Sequence, residues 1–148
     1  MTTFIKRLLL AWFFILSHYI MLGQSFDYMG FLFIENARPI SYRIIFDNDN
    51  GVLNGYSITG IGTNFETKSE ISGSISKKKL ELKEFQVIST LSEEPISNFC
   101  FVELEANRKS KKTFEGSFKG YYLNGEMCAS GTIIISEKAK LEKQIAKV

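Results

Sequence analysis

The chain has 148 residues, and its 18 lysines and arginines against 16 aspartates and glutamates give a formal net charge of +2 at pH 7. This length suits one domain with a single core. The only histidine is His18 and the only tryptophan is Trp12. The chain after residue 23 therefore has no imidazole, which excludes a Ser-His-Asp or Cys-His nucleophile system and a histidine metal ligand there. We expect no metal, no other cofactor and no catalytic residues.

Residues 1–23 predict a secretory signal peptide. A short basic start, MTTFIKR, precedes an apolar run of fifteen residues that only Ser17 and His18 interrupt, and Gly23 lies before the polar Gln24. The run is shorter than the about 20 apolar residues that span a bilayer, so a cleaved signal is favoured over an uncleaved anchor helix. Cleavage just before a glutamine resembles exported proteins of the Bacteroidetes. We expect a periplasmic or secreted protein whose mature part is neutral, because Lys6 and Arg7 leave with the signal.

From residue 30 onward, apolar residues alternate with a period of two, which predicts β-strands. Asn124-Gly125 between two segments is the strongest hairpin signal, because both residues tolerate the positive φ of a tight turn. We predict an all-β domain over residues 24–136: a single eight-stranded antiparallel up-and-down barrel, or a sandwich. The eight segments are GFLFIE (30–35), SYRIIFD (41–47), VLNGYSITG (52–60), KSEISGSIS (68–76), KLELKEFQVI (79–88), NFCFVELEA (98–106), TFEGSFKGYY (113–122) and EMCASGTIII (126–135).

Two finer features accompany the strands. In the fifth segment Leu80 and Leu82 share a face with Glu84, whereas Phe85 and Val87 lie on the other face, so we predict a β-bulge near Glu84. In the tail, residues 137–148, apolar residues recur at i, i+4 and i+7, which predicts a short helix docked on the barrel. These residues are Leu141, Ile145 and Val148.

Eight strands followed by a helix resemble the lipocalin and avidin group of ligand-binding barrels, and GVLNGYSITG and KSEISGSIS look like the small-residue hairpins of avidins. The resemblance covers most of the chain after residue 23, as architecture only. The Gly-x-Trp of lipocalins and the biotin-binding tryptophans of avidins are missing, so biotin binding is not implied. An interior pocket for a small apolar ligand is one expectation, and a barrel filled by its own aromatics is the other. The candidate lining residues are Phe31, Phe33, Tyr42, Tyr56, Phe114 and Phe118.

Cys100 and Cys128 are the only cysteines, and in an oxidising compartment we predict a disulfide between them. Both lie near the start of their segments, and those segments run in the same direction in a meander. The seventh segment lies between them, however, and two strand spacings place the Cα atoms about 10 Å apart, beyond disulfide reach. Bonding therefore requires the seventh strand to end early or curl away.

Two other patterns offer weaker sites. DNDNG (47–51) is similar to a calcium loop, but its glycine comes one residue early and no bidentate glutamate follows, so a polar hairpin turn is favoured. Glu84 on the inner face, with Glu93 and Glu94 in the next loop, is the only route to general acid/base chemistry. We expect these loop acids to be solvated and the protein not to be an enzyme.

The turns of a meander alternate between two ends, and the lysines collect at one of them. This candidate docking pole suits an anionic surface such as lipid head groups or an acidic partner, and the alternative is that the lysines only solubilise the turns. Nucleic acid is not an expected partner of an exported protein. The residues of the basic pole are Lys77, Lys78, Lys79, Arg108, Lys109, Lys111 and Lys112.

The sequence therefore favours a non-catalytic, exported binding or interaction protein of the cell envelope. Its candidate surfaces are the basic pole, the C-terminal helix and three aromatics expected to face outward, Phe99, Phe101 and Tyr121. The alternative function is a carrier of a small apolar ligand in the barrel interior.

Overall fold

The computed structural model describes residues 24–138, which form a closed antiparallel barrel of eight strands. Each strand pairs with its neighbour in sequence, and β8 closes the barrel on β1. This confirms the predicted all-β barrel and excludes the sandwich. A short 3-10 turn, Ile96–Asn98, lies in the β5–β6 loop. The strands are β1 (Gln24–Ile34), β2 (Ile40–Asp49), β3 (Val52–Thr59), β4 (Thr67–Ile75), β5 (Lys79–Thr90), β6 (Phe101–Ser110), β7 (Thr113–Tyr121) and β8 (Met127–Glu137).

Two predictions fall on the ends of the chain. The signal peptide, residues 1–23, lies outside the described residues. Of the predicted C-terminal helix only Glu137 and Lys138 are described, and Glu137 belongs to β8. Within residues 24–138 no helix is long and apolar enough to cross a membrane.

The barrel interior is filled by its own side chains. Tyr42, Phe46 and Phe114 are the largest fully buried residues, each at most 1% exposed. Eight strands enclose a space just wide enough for side chains or one small ligand, and these rings occupy it. The other members of this buried apolar core are Tyr28, Leu32, Ile44, Leu53, Ile71, Leu80, Leu82, Val102, Leu104, Ala106, Phe118, Ile133 and Ile135.

The two ends of the barrel differ. We call the end with the β2–β3, β4–β5 and β6–β7 turns the lysine end, and the opposite end, which carries both cysteines, the disulfide end. Arg108 closes the lysine end: its guanidinium carbon lies 4.3 Å from the ring centroid of Phe114. The same guanidinium donates hydrogen bonds to the carbonyls of Lys77 (2.7 Å) and Lys111 (2.8 Å), which ties two neighbouring turns together.

Three of the predicted lining residues face outward. Phe31 and Phe33 are 44% and 37% exposed, because the inward positions of β1 are taken by Tyr28, Gly30 and Leu32. The prediction placed Phe31 and Phe33 inside because they are hydrophobic. Apolar residues can also remain on the surface, so hydrophobicity alone does not decide which face of this strand is buried.

Tyr56 is likewise on the outer face of β3. The ammonium of Lys68 lies 3.8 Å from the centroid of its ring. Leu53 and Ser57, both fully buried, set the inward face of this strand, and Gly55 between them lets β2 approach closely. Tyr42, Phe114 and Phe118 do point inward, as packing rather than as the wall of an open cavity.

The predicted bulge in β5 is present. Ile71 pairs with Glu84 and Glu70 pairs with Gln86, so Phe85 has no partner on β4. A second shift leaves out Ile88. The extra residue Phe85 lies in a pair of consecutive exposed positions, after which the alternation resumes one residue later. The bulge therefore brings Val87 to the face of Leu80, Leu82 and Glu84.

Cys100 and Cys128 form the predicted disulfide, with their Cα atoms 6.0 Å apart. The separation is shorter than two strand spacings because the bridge passes over Gly120, which has no side chain. A Cβ at Gly120 would lie 2.2 Å from the sulfur of Cys100 and 3.2 Å from that of Cys128. Cys128 is also the extra residue of a bulge in β8, since Gly120 pairs with Ala129 and Tyr121 with Met127. The bond is compatible with a periplasmic or extracellular location.

We expect Gly120→Ala to destabilise the oxidised protein by about 2 kcal/mol, because the added methyl group overlaps the disulfide. In the Cys100→Ala/Cys128→Ala background, which loses about 3.5 kcal/mol through the missing bridge, the same substitution should cost much less. Urea unfolding of the four proteins of this cycle measures the difference. An equal cost of Gly120→Ala in both backgrounds would contradict the proposed role of this glycine.

Candidate functional site

The wall of the barrel is interrupted between β5 and β6. These strands pair from Lys79↔Asn107 to Lys83↔Glu103, and the ladder stops there. The next backbone pair would join Glu84 to Val102. Instead, the Val102 N–H donates a hydrogen bond of 2.8 Å to Oε2 of the Glu84 side chain. The carboxylate thus takes the place of a backbone acceptor at the point where the two strands separate.

Glu84 is buried among neutral donors. The Tyr42 hydroxyl donates to its Oε1 at 3.0 Å, and the Ser57 hydroxyl donates to the same oxygen. The residue is only 7% exposed. No ion pair within residues 24–138 includes it. Its buried charge is therefore met by three hydrogen bonds and by no cation.

Burial dominates the electrostatics of this cluster. Burial raises the pKa of the Glu84 carboxyl above its ordinary value, and the hydrogen bonds from Ser57, Val102 and Tyr42 offset part of that increase. The pKa of the Tyr42 phenol is raised well above its ordinary value, first by burial and then by the charge of Glu84 beside it. Both effects oppose placing a second negative charge at this position.

A cleft of about 200 Å³ opens at the disulfide end and is lined by Glu84. Phe65, Val87 and Phe99 also line it, with hydroxyls such as that of the buried Ser69. Glu94 from the β5–β6 loop contributes a second carboxylate. Of the described residues that line this cleft, none is a lysine or an arginine. The cleft therefore combines apolar walls with negative charge.

A second, more open cleft of about 350 Å³ adjoins the first on the outside of the barrel. The two share Glu84 and Phe101, and the outer one is also lined by Phe85 and Leu123. Phe101 was expected to face solvent, but it is only 7% exposed. Because β5 and β6 separate here, its ring covers the gap between them rather than projecting from a continuous wall.

Exposed apolar side chains concentrate around these clefts. Seven of the eleven large apolar residues exposed in the described part of the chain lie in the loops of the disulfide end or on the adjoining parts of β5 and β8. Of the other four, Val52 lies at the lysine end, Ile134 lies near it on β8, and Phe31 and Phe33 lie on β1. Such clustering, unlike single exposed residues, marks an interaction surface. We call this set the apolar rim: Phe65, Phe85, Ile88, Leu91, Ile96, Leu123 and Met127.

The loops around the apolar rim are acidic. The four loops of the disulfide end, residues 35–39, 60–66, 91–100 and 122–126, contain five glutamates and one arginine. The charge is therefore opposite in sign to that of the lysine end. This difference agrees with the prediction that the lysines collect at one end of the barrel.

The predicted basic pole is brought together by the topology, but much of its charge is engaged. Lys79 bridges Glu81 and Glu105 at 2.9 and 2.8 Å. Lys112 contacts Glu137 at 3.1 Å and Lys109 contacts Glu115 at 3.8 Å. Arg108 is held by two backbone carbonyls. Lys77, Lys78 and Lys111 form no ion pair with another residue of the described range.

The structure also places the two weaker candidates, the DNDNG segment and the group of three glutamates. DNDNG forms the β2–β3 hairpin turn, with Asn50 and Gly51 at positive φ of 50° and 90°. Within residues 24–138 no group of three or more His, Cys, Asp or Glu side chains is arranged to hold a metal ion. Of the predicted carboxylates, Glu84 and Glu94 line one cleft, whereas Glu93 is not among its lining residues.

Ser57 is the residue of this site that the sequence did not indicate. It lies on β3, whose inward face was assigned to the larger Tyr56, and a serine within a strand has no pattern that marks it as buried. The alternation Leu80, Leu82, Glu84 was a usable signal for the carboxylate, because it places Glu84 on the core face.

The fold and site define a closed eight-stranded barrel with an acidic, apolar cleft at one end, and the architecture is consistent with that of lipocalins. No protein-family model matches the chain, and the comparisons with curated proteins and with solved structures also found no match.

The raised pKa of Glu84 predicts a pH-dependent stability. Between the ordinary glutamate pKa of 4.5 and the raised value, the folded protein keeps a proton that the unfolded chain has lost. The free energy of unfolding therefore falls as pH rises through this interval, by about 1.4 kcal/mol for each pH unit that separates the two values. Glu84→Gln should lose this dependence in urea titrations from pH 4 to 8.

Glu126→Gln, at an exposed position of the same end, is the matched control and should retain the pH dependence of the wild type. A stability difference between wild type and Glu84→Gln that stays constant across this range would contradict the assignment.

Proposed function

We propose that this protein is a non-catalytic, exported interaction protein of the cell envelope, and that it binds a segment of a partner protein at its disulfide end. The observation that favours this function is the apolar rim around the two clefts. The acidic loops between the rim residues favour a partner segment with apolar and cationic side chains, because complementary charge directs association and selects partners.

The size of the inner cleft favours this function over the carrier of a small apolar ligand. Sites that enclose a whole small molecule occupy about 300–1,000 Å³, and the inner cleft has about 200 Å³. Its volume suits one side chain of a larger partner. Tyr42 and Phe114, both fully buried, occupy the positions expected for an interior ligand.

The same features argue against an anionic membrane as the partner of the disulfide end, since five glutamates in its loops would face lipid head groups of the same sign. The basic pole would be the surface for such a membrane. The ion pairs of Lys79, Lys109 and Lys112 reduce the charge that it presents.

Peptides selected from a random displayed library on the immobilised protein test this function. We expect the selected peptides to be enriched in apolar residues and in lysine and arginine, and depleted in aspartate and glutamate. Leu91→Ser and Leu123→Ser should weaken their binding about tenfold or more. Stability should change by less than about 0.5 kcal/mol, because the side chains are 66% and 62% exposed.

Val52→Ser is the control, since Val52 is 55% exposed at the lysine end. It should bind the selected peptides as the wild type does. Equal loss of binding in Val52→Ser, or a selection that returns acidic peptides, would contradict a site at the disulfide end.

Export is tested separately. Expressed in an exporting bacterial host, the full chain should be recovered outside the cytoplasm with Gln24 as its first residue and with the Cys100–Cys128 bond formed. Intact-mass analysis with and without reduction measures both. A full-length chain retained in the membrane fraction would instead support an uncleaved anchor.

A further inference from the structure

Glu84 is a buried carboxylate without a cationic partner, and this is unusual for an ionisable side chain. Its three partners are the hydroxyls of Tyr42 and Ser57 and the backbone N–H of Val102, all neutral. Its Oε1 accepts two of these bonds and Oε2 only one, so Oε2 keeps acceptor capacity. Three hydrogen bonds thus hold the Glu84 carboxylate in position, but no cation in the described range neutralises its charge.

The inner cleft gives access to this carboxylate from the disulfide end. Its apolar walls include Phe65, Val87 and Phe99, whereas its carboxylates are Glu84 and Glu94. This distribution matches an elongated side chain with an apolar stem and a positive end. A lysine has that form: its methylene stem packs on apolar surface and its ammonium group donates three hydrogen bonds.

We propose that the inner cleft binds a primary ammonium group on an alkyl stem, with a lysine side chain of the partner segment as the occupant and Glu84 as its counter-ion. This inference rests on the proposed function, because it names the side chain that the partner inserts. In the complex, the ammonium group supplies the positive charge that the buried carboxylate lacks, and Glu94 adds a second negative charge to the cleft.

A guanidinium group fits this cleft less well than an ammonium group. Arginine is favoured where a carboxylate offers both oxygens to its planar fork. Here Oε1 already accepts from Tyr42 and Ser57, and Oε2 accepts from Val102. The single remaining acceptor position suits a compact ammonium group, which can direct one N–H bond to it and others to the nearby hydroxyls.

The direct test uses three small probes of the same chain length: n-butylammonium, n-butanol and butyrate. Two-dimensional NMR titration of the 15N-labelled protein follows the amide of Val102, which reports on Glu84 through its hydrogen bond. Butylammonium should shift the resonance of this amide saturably and should bind about tenfold or more tightly than butanol. Neither butanol nor butyrate should displace it at equal concentration. Equal affinity for butylammonium and butanol would overturn the proposal.

Glu84→Gln should weaken butylammonium binding about tenfold or more, whereas the exposed Glu126→Gln should leave it unchanged. The comparison of probes needs only the wild-type protein, so it decides the question even if Glu84→Gln does not fold. Butylammonium binding that is unchanged in a folded Glu84→Gln protein would assign the effect to another acid and overturn the role of Glu84.

The peptides selected on the disulfide end separate this inference from the proposed function. Replacing a lysine of the peptide by norleucine keeps the alkyl stem and removes the charge. For the one lysine that enters the cleft, this replacement should weaken binding to the wild type about tenfold or more. It should weaken binding to Glu84→Gln far less. If every lysine tolerates norleucine while Leu91→Ser still abolishes binding, the rim function stands and the ammonium site fails. If no peptide binds but butylammonium does, the ammonium site stands and the rim function fails.

Discussion

The interior of an eight-stranded barrel is about as wide as the side chains that its strands point inward, and most features of this molecule depend on that limit. Tyr42, Phe46 and Phe114 lie in this space, each at most 1% exposed. Arg108 closes the lysine end by packing on Phe114 and bonding two turns. The proposed binding surface therefore lies at the end where the wall is interrupted, and not in the interior.

At the interruption between β5 and β6, the fold leaves a buried carboxylate beside an open cleft. A continuous ladder would bury Glu84 against its neighbour strand and leave its charge without access to the outside. Where the strands separate, the Glu84 carboxylate accepts the Val102 N–H, and the buried Phe101 lines the same clefts as Glu84. Buried acids with neutral partners cost stability, and ionisable groups whose pKa is shifted by burial occur often at functional sites.

Much of the architecture could be predicted because it depends on local rules. Period-two alternation and turn residues gave the eight strands, and the conflict between Leu82 and Phe85 located a bulge. The faces of β1 and β3 could not be assigned in this way. Phe31, Phe33 and Tyr56 are hydrophobic, yet which face of a strand is buried depends on close approaches made by Gly30 and Gly55, and these glycines contact neighbouring strands. The pairing of Cys100 with Cys128 was predictable, but its geometry was not, since the bridge depends on the absence of a side chain at Gly120.

By itself, the sequence determined an all-β domain without histidine, in a part of the chain that is neutral over residues 24–148, with lysines at one end of a meander and two cysteines at the other. These properties follow from composition and from the spacing of residues along single strands. Only the tertiary structure decided that the interior is filled, that Glu84 lies among Tyr42, Ser57 and Val102, and that seven exposed apolar residues share one end with five glutamates. Those arrangements join residues far apart in the chain, and barrel closure and strand register alone bring them together.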